Sequence, residues 1–472
     1  MISFGRAGRS LLLAAGVLVL LPGAALAHPV LRRSFPAKAD TVSAGPAEIR
    51  LVFSKPIELR FAKVELVGPA GTLGFLTGLA IVPDSLGTVT APVGRVLSPG
   101  GYTVRWQVAG DDGHVVRGEF GFTVLGSQGG GEAGGEVVTP GADPVHEVQH
   151  PSSRPVSAGF DASSPLFIAL RWVMYLGLLG IIGAVVFQGV VLRLVRRRGG
   201  EPSRRLADDI QPRVASLGLA ATAIFLVSVP GRLFAQSVAM HGIGESLAPS
   251  LLYGMVAHTM WGWSWLAQLA LGAWTYVGFR RVTRGQGGWG FARAGALLLA
   301  FTPAFAGHAI AAERWIPFAV LADGIHVVGA SGWLGTLAVL LLVGLAGALR
   351  LTEPDRGPVA ADLVNAFSPV ALAFAGAAAA TGAFSALVHI GRVIDLWETS
   401  YGQVLLLKLG VLSVVAGTGA YNWRKVRPTM GNEMAARRIG RSATVELLVA
   451  VVVLMVTAVL VALPTPLAAR GP

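Results

Sequence analysis

Three stretches near the start of the chain alternate strictly between apolar and polar positions. In "EIRLVFS", Ile49, Leu51 and Phe53 share one side. In "YTVRWQVA", Tyr102, Val104, Trp106 and Val108 face one way and Thr103, Arg105 and Gln107 the other, and "GEFGFTV" repeats the pattern with Phe120, Phe122 and Val124. A period of two, separated by turns such as "SPGG", predicts half-buried antiparallel strands. Sustained over residues 28–126, it predicts an all-β, immunoglobulin-like sandwich. The following segment, 127–163, is rich in Gly, Pro and polar residues with no apolar period, and predicts a flexible linker. Beyond it come apolar runs of about 20 residues or more, each enough to cross a bilayer. Eight fall at 166–192, 213–236, 250–279, 291–311, 317–349, 365–390, 402–423 and 443–463. The expected architecture is therefore the sandwich followed by an all-α polytopic membrane domain, 164–465, of about eight transmembrane helices.

Composition agrees with that division. Of 472 residues, 53% are hydrophobic and only 14% charged, and the mean hydropathy is +0.62, which excludes an ordinary soluble protein. The net charge of +12 does not form a nucleic-acid-binding face. Its basic residues gather in the loops after the first, third, fifth and seventh runs, Arg193, Arg204, Arg280, Arg350 and Arg424 among them, whereas Arg232, Arg314 and Arg392 are the few in the intervening loops. By the positive-inside rule the first set is cytoplasmic, which places the sandwich and the C-terminus outside. Residues 1–27 point the same way. Arg6 and Arg9 precede "SLLLAAGVLVLL" and the small-x-small site Ala25-Leu26-Ala27, a cleavable export signal that leaves His28 as the first mature residue. The absence of cysteine removes disulfides and thiolate ligands.

A terminal histidine carries its own chemistry. The freed α-amino group and the Nδ1 of His28 can chelate one metal ion in a six-membered ring, and Pro29 has no N–H through which the next amide could join. Further ligands are available in "AGDDGHVVRG", where Asp112 and His114 are two apart and share a side of an extended segment. Amine, two imidazoles and a carboxylate fit a square-planar Cu(II) site. No methionine lies between Met1 and Met174, so a thioether Cu(I) site in this domain is excluded. His146 and His150 fall in the linker and are read as solvated. In the membrane domain, His241 falls in the external loop after the second run, while His258, His308, His326 and His389 all fall in the outer half of their runs. Imidazoles in a bilayer are costly unless they face the bundle and find partners. Met255 and His258 are three apart on one helical face, Met240 and Met260 are nearby, and Asp323, His326, Ala330 and Trp333 form a stripe. Thioether with imidazole suits Cu(I). Lys408 is expected to snorkel or meet a carboxylate, and Glu446 to cap or pair near Arg441.

These residues carry a family resemblance. The terminal His, "SFPAKADTVSAGPAEIRLVFSKPIEL" and "LSPGGYTVRWQVAGDDGHVVRGEFGFTV" resemble the periplasmic copper-binding protein CopC. "AGHA", "DGIHVVGASGWLGTL" and "SALVHIGRVIDLWETSYGQVLLLKLG" resemble the membrane protein CopD. The chain thus looks like a CopC–CopD fusion. The resemblance implies His28, Asp112 and His114 as Cu(II) ligands, His308 and His326 as membrane positions carried over by motif, and copper handling rather than catalysis. Met255 and His258 rest on placement alone. "AGDDGH" departs from the usual Ser-Ala-Asp-Gly-His, and Val115 stands where Pro is common; Asp111 is thereby a rival to Asp112, although the Asp-x-His spacing favours Asp112. The expected function is capture of Cu(II) outside a bacterial plasma membrane and import as Cu(I) or Cu(II), with periplasmic copper donors as partners. The alternatives are a haem- or copper-dependent redox protein, which a Soret band would reveal, and a periplasmic copper store. An oxidative copper enzyme of the histidine-brace kind is disfavoured because Asp112 would fill the position that oxygen needs.

Overall fold

The alternating stretches fold as strands and bury the predicted faces. The computed structural model describes residues 29, 31–54, 56–83, 85–109, 115–125, 164–306, 316–390, 392–421, 424, 433–463 and 466. The expected signal peptide and linker, His28, Asp112, His114, His146, His150 and His308 lie outside them. Among the described residues nine strands run β1 (Leu31–Phe35), β2 (Thr41–Val42), β3 (Glu48–Phe53), β4 (Lys63–Gly68), β5 (Gly71–Phe75), β6 (Ala80–Val82), β7 (Ser85–Pro92), β8 (Gly100–Ala109) and β9 (Val115–Val124). They form two sheets, in the orders β1-β3-β7-β6 and β2-β9-β8-β4-β5, antiparallel except for the β2–β9 pair. Ile49, Leu51 and Phe53 of one sheet meet Tyr102, Val104, Trp106, Val108, Phe120, Phe122 and Val124 of the other in a single buried core.

Trp106 packs closely within that core. Its indole meets the Phe53 ring edge-to-face at 5.1 Å, and it lies across Gly118, the residue paired with it on β9. A Cβ on Gly118 would stand 2.4 Å from the indole Cζ2. Gly118→Ala is therefore expected to destabilise the sandwich by roughly 1–3 kcal/mol, the usual range for overpacking. Denaturant unfolding of the full chain, followed by tryptophan fluorescence, checks this; an unchanged midpoint would mean that the indole has room to move.

The helical part begins with α1 (Pro165–Arg198) and continues through α2 (Glu201–Asp209), α3 (Gln211–His241), α4 (Pro249–His258), α5 (Met260–Thr283) and α6 (Trp289–Phe301). It ends with α7 (Pro317–Ala348), α8 (Glu353–His389), α9 (Ser400–Tyr421) and α10 (Glu433–Leu460). Five helices among the described residues are long and apolar enough to cross a membrane: α1, α2 with α3, α7, α8 and α9. The expected count of eight exceeds this. The other three runs fall on less apolar α5, on α6 with only 13 residues, and on α10, whose apolar part Thr444–Leu460 is short.

Two local expectations are corrected. The third run is not one helix: Thr259 adopts an extended backbone, its hydroxyl donates to the Met255 carbonyl at 2.6 Å, and it accepts from the Gly262 N–H at 2.9 Å, so it caps a new helix. Arg232 and His241 are not loop residues, because α3 runs on to Gly242, whose φ of +85° ends it.

Candidate functional site

The sandwich brings the ends of its expected ligand segments to one place. Leu31, where β1 begins, pairs with Phe53, and the Phe53 ring touches Trp106, three residues before the end of β8. Ala109 and Val115 are the last paired residues of the β8–β9 ladder. The chain leading from His28 and the connection holding Asp112 and His114 thus both leave the described sandwich at the same end.

That end is seated on the helical domain. Ala109, Phe61, Met240, Met255 and Trp261 form one buried cluster, with Val115, Leu233 and Leu252 packed against it. Polar contacts hold the same joint. Gln107 Nε2 donates to the Met240 carbonyl at 2.9 Å, and an Arg117 guanidinium N–H donates to the Ala239 carbonyl at 2.7 Å. These carbonyls belong to the last turn of α3, where the helix has no partners of its own for them and a cation is favoured. Arg117 is itself braced by Gln107 Oε1 at 2.9 Å. The β8 and β9 side chains that face away from the sandwich core therefore cap a helix of the other domain.

Below the joint, polar residues recur at the same end of the bundle. Arg171 of α1 is buried and donates to the Ala458 carbonyl at 3.0 Å. Arg232 of α3, also buried, donates to Gln268 Oε1 and to the Met174 sulfur, both at 2.8 Å. Among the described residues no carboxylate is paired with either guanidinium. On α7, Asp323 lies within range of the charges of His389 and Lys408, and His326 within range of Lys408. His326 Nδ1 donates to the Ala378 carbonyl at 2.9 Å, and its ring rests on α8 beside Thr381 and Gly382. A carbonyl can only accept, so the proton is on Nδ1 and the lone pair on Nε2, the form that binds metal.

The expected pairing of Met255 with His258 is not found. Met255 is fully buried in the joint, whereas His258, the last residue of α4, is exposed and meets the Tyr253 ring edge-to-face at 5.5 Å. Helical spacing puts the two on neighbouring positions, but the sandwich covers only one of them. Glu446 is buried. Sequence reasoning missed Arg171 and Arg232 as buried polar residues, and missed His241 as a buried one. An Arg set inside each of two apolar runs, Arg171 and Arg232, was the available signal.

A sandwich of nine strands among the described residues, seated on a bundle with membrane-length helices and with His241, Met240 and Met255 at the joint, defines a multi-pass membrane protein with a docked β-domain. Family models place the chain further. Residues 31–125 match the CopC domain, 161–317 the copper resistance protein D-like N-terminal domain, and 361–460 copper resistance protein D. The chain belongs to the copper resistance family, with CopC and CopD domains in one polypeptide, a family of copper resistance and transport proteins rather than enzymes. It is 27% identical over 461 residues to copper transport protein CutJ of Bacillus subtilis (strain 168), covering 95% of this chain and 76% of that one. Copper resistance protein C of Escherichia coli is 31% identical over 120 residues, 24% of this chain and 94% of the relative. Copper resistance protein D of Pseudomonas syringae pv. tomato is 27% identical over 304 residues, 61% of this chain and 94% of the relative.

Proposed function

We propose that the chain captures Cu(II) outside the plasma membrane at His28, Asp112 and His114 and passes copper through the helical domain toward the cytoplasm. The observation that carries this reading is the seating of the sandwich. The end of the sandwich from which the chain toward His28 and the connection holding Asp112 and His114 depart rests on the end of the bundle that holds Arg171, Arg232, Asp323 and His326. An anchor for a storage module has no need of that alignment. The relative named a copper transport protein matches nearly the whole of this chain, joint included.

In this reading residues 1–27 are removed on export, 28–126 form the capture domain, 127–163 the linker and 164–465 the conduit. The arginine-rich loops face the cytoplasm. His308 and His326 lie on the path as Cu(I) or Cu(II) ligands, Met255 stands at its entrance, and exposed His258 stands apart from it. Periplasmic copper donors supply the ion.

Cellular copper tests the reading. Cells expressing the wild type, His326→Ala or a His28-deleted form are stressed with copper, and cytoplasmic and periplasmic metal are measured separately. Cytoplasmic copper is expected to rise with the wild type and to return to the level of cells lacking the protein with His326→Ala. If only periplasmic copper changes, and only with His28, the helical domain is no conduit. A Soret band in the purified protein would instead bring the redox reading forward.

A further inference from the structure

We propose that His241 is a copper ligand at the joint between the sandwich and the bundle, the first imidazole of the helical domain to receive the ion. The proposal rests on the reading that the sandwich delivers copper to the bundle. It adds a site that neither the family motifs nor the metal-ligand spacing of the sequence marks.

Hydrogen bonding fixes the chemical form of the ring. Ser237, one turn earlier on α3, has a single hydroxyl proton, and it donates that proton to the Ser246 carbonyl at 2.7 Å. Toward His241 Nδ1, 3.2 Å away, the Ser237 oxygen can then only accept. The imidazole proton therefore sits on Nδ1, and Nε2 presents its lone pair. His241 is 8% exposed, and Nε2 is buried with no hydrogen-bond partner among the described residues. Leaving a buried acceptor unmatched is costly, so such atoms call for an explanation. A ring whose proton is held on one nitrogen by an oxygen, with the other nitrogen bare, is the usual arrangement of a metal-binding histidine and its orienting partner.

The surroundings suit an ion in transit. The Phe61 ring of the sandwich packs on the imidazole at 5.4 Å between centroids, so its cover is carried by the domain that delivers the metal. Phe61 also belongs to the buried cluster that holds Met240 and Met255, beside the closing pair Ala109 and Val115. Lys63 and Glu245, one charge of each sign, lie within range of the ring. Imidazole serves either oxidation state of copper, and nearby thioethers favour Cu(I). A residue present only to pack against Phe61 would need neither the bare nitrogen nor a serine to orient the ring.

The test uses the full-length protein in detergent, titrated with Cu(II) in air and with Cu(I) under ascorbate against a chromogenic chelator. His241→Phe keeps an aromatic ring against Phe61 and removes the ligand. Ser237→Ala keeps the imidazole and frees its tautomer. In at least one titration His241→Phe is expected to bind one equivalent fewer than the wild type, and Ser237→Ala to bind that equivalent at least tenfold more weakly. The Cu(II) signal of the sandwich should be unaltered in both. Wild-type stoichiometry and affinity for both variants in both titrations would overturn the proposal. Should His241→Phe fail to fold, wild-type affinity in Ser237→Ala alone would count against it. Because no transport is measured, a failed import assay would leave this result standing, and the reverse holds equally.

Discussion

Adding one alanine ahead of His28 is expected to weaken Cu(II) binding by at least about 100-fold, roughly 2.7 kcal/mol. The chelate proposed for the mature terminus needs a free amine on the same residue as the imidazole. With an alanine in front, the nitrogen of residue 28 becomes an amide, which binds only after losing its proton, and the new amine sits on the wrong residue to close the six-membered ring with the imidazole alone. Pro29 ensures that no backbone N–H downstream can replace it. Competition against a chelator of known affinity measures the loss, with Asp112→Asn expected to weaken binding and Asp111→Asn to leave it alone. Acid should act in the same direction as the extension. Amine and imidazole must shed protons to bind, so affinity is greatest above about pH 8 and falls as pH drops through the amine and imidazole ranges, near 7.7–8.0 and 6.5. Equal affinity in the extended chain would remove His28 from the ligand set.

The second large effect lies inside the bundle, where α1 and α7 cross at a pair of glycines. A Cβ on Gly183 would stand 2.3 Å from the carbonyl carbon of Gly335, and a Cβ on Gly335 would stand 2.1 Å from the carbonyl oxygen of Leu179. Both obstacles are backbone, so no side-chain rotation relieves them. Small residues that let helix backbones touch are a main source of association in membranes, where apolar burial between helices gains little. The close approach also fixes α7, which carries Asp323 and His326, against α1, which carries Arg171. Gly183→Ala is expected to cost about 1–3 kcal/mol, visible as a thermal midpoint several degrees lower in detergent. Gly183→Leu is expected to yield no folded bundle. A Gly183→Ala midpoint equal to that of the wild type would show that the helices separate freely at this crossing.

Much of this molecule follows from local pattern. The alternation at Ile49–Phe53, Tyr102–Val108 and Phe120–Val124 named the buried faces of both sheets correctly, because a strand's side chains can point only two ways and one face must leave water. The long apolar runs located α1, α3, α7, α8 and α9 for an equally local reason: a bilayer demands about 20 apolar residues in a row. The terminal histidine, the Asp-x-His and the motif around His326 are likewise matters of spacing along the chain.

What spacing could not reveal is contact between segments far apart in sequence. Gln107 and Arg117 read as ordinary outward-facing strand residues, yet they satisfy the end of a helix more than a hundred residues away, at Ala239 and Met240. Met255 and His258 have the periodicity of partners, but the seating of the sandwich buries one and leaves the other exposed. The break at Thr259 depends on a single side chain capping a new helix within an apolar run, which hydropathy does not register. His241 lies beyond the second apolar run and looks like a loop residue; it becomes a buried imidazole with a fixed proton only when Phe61, Ser237 and Ser246 close around it. The sequence alone settled which residues shun water and which can bind metal. Which of those candidate residues are desolvated, oriented and placed at the joint was decided by tertiary packing, since burial and hydrogen bonding depend on the neighbours the fold supplies.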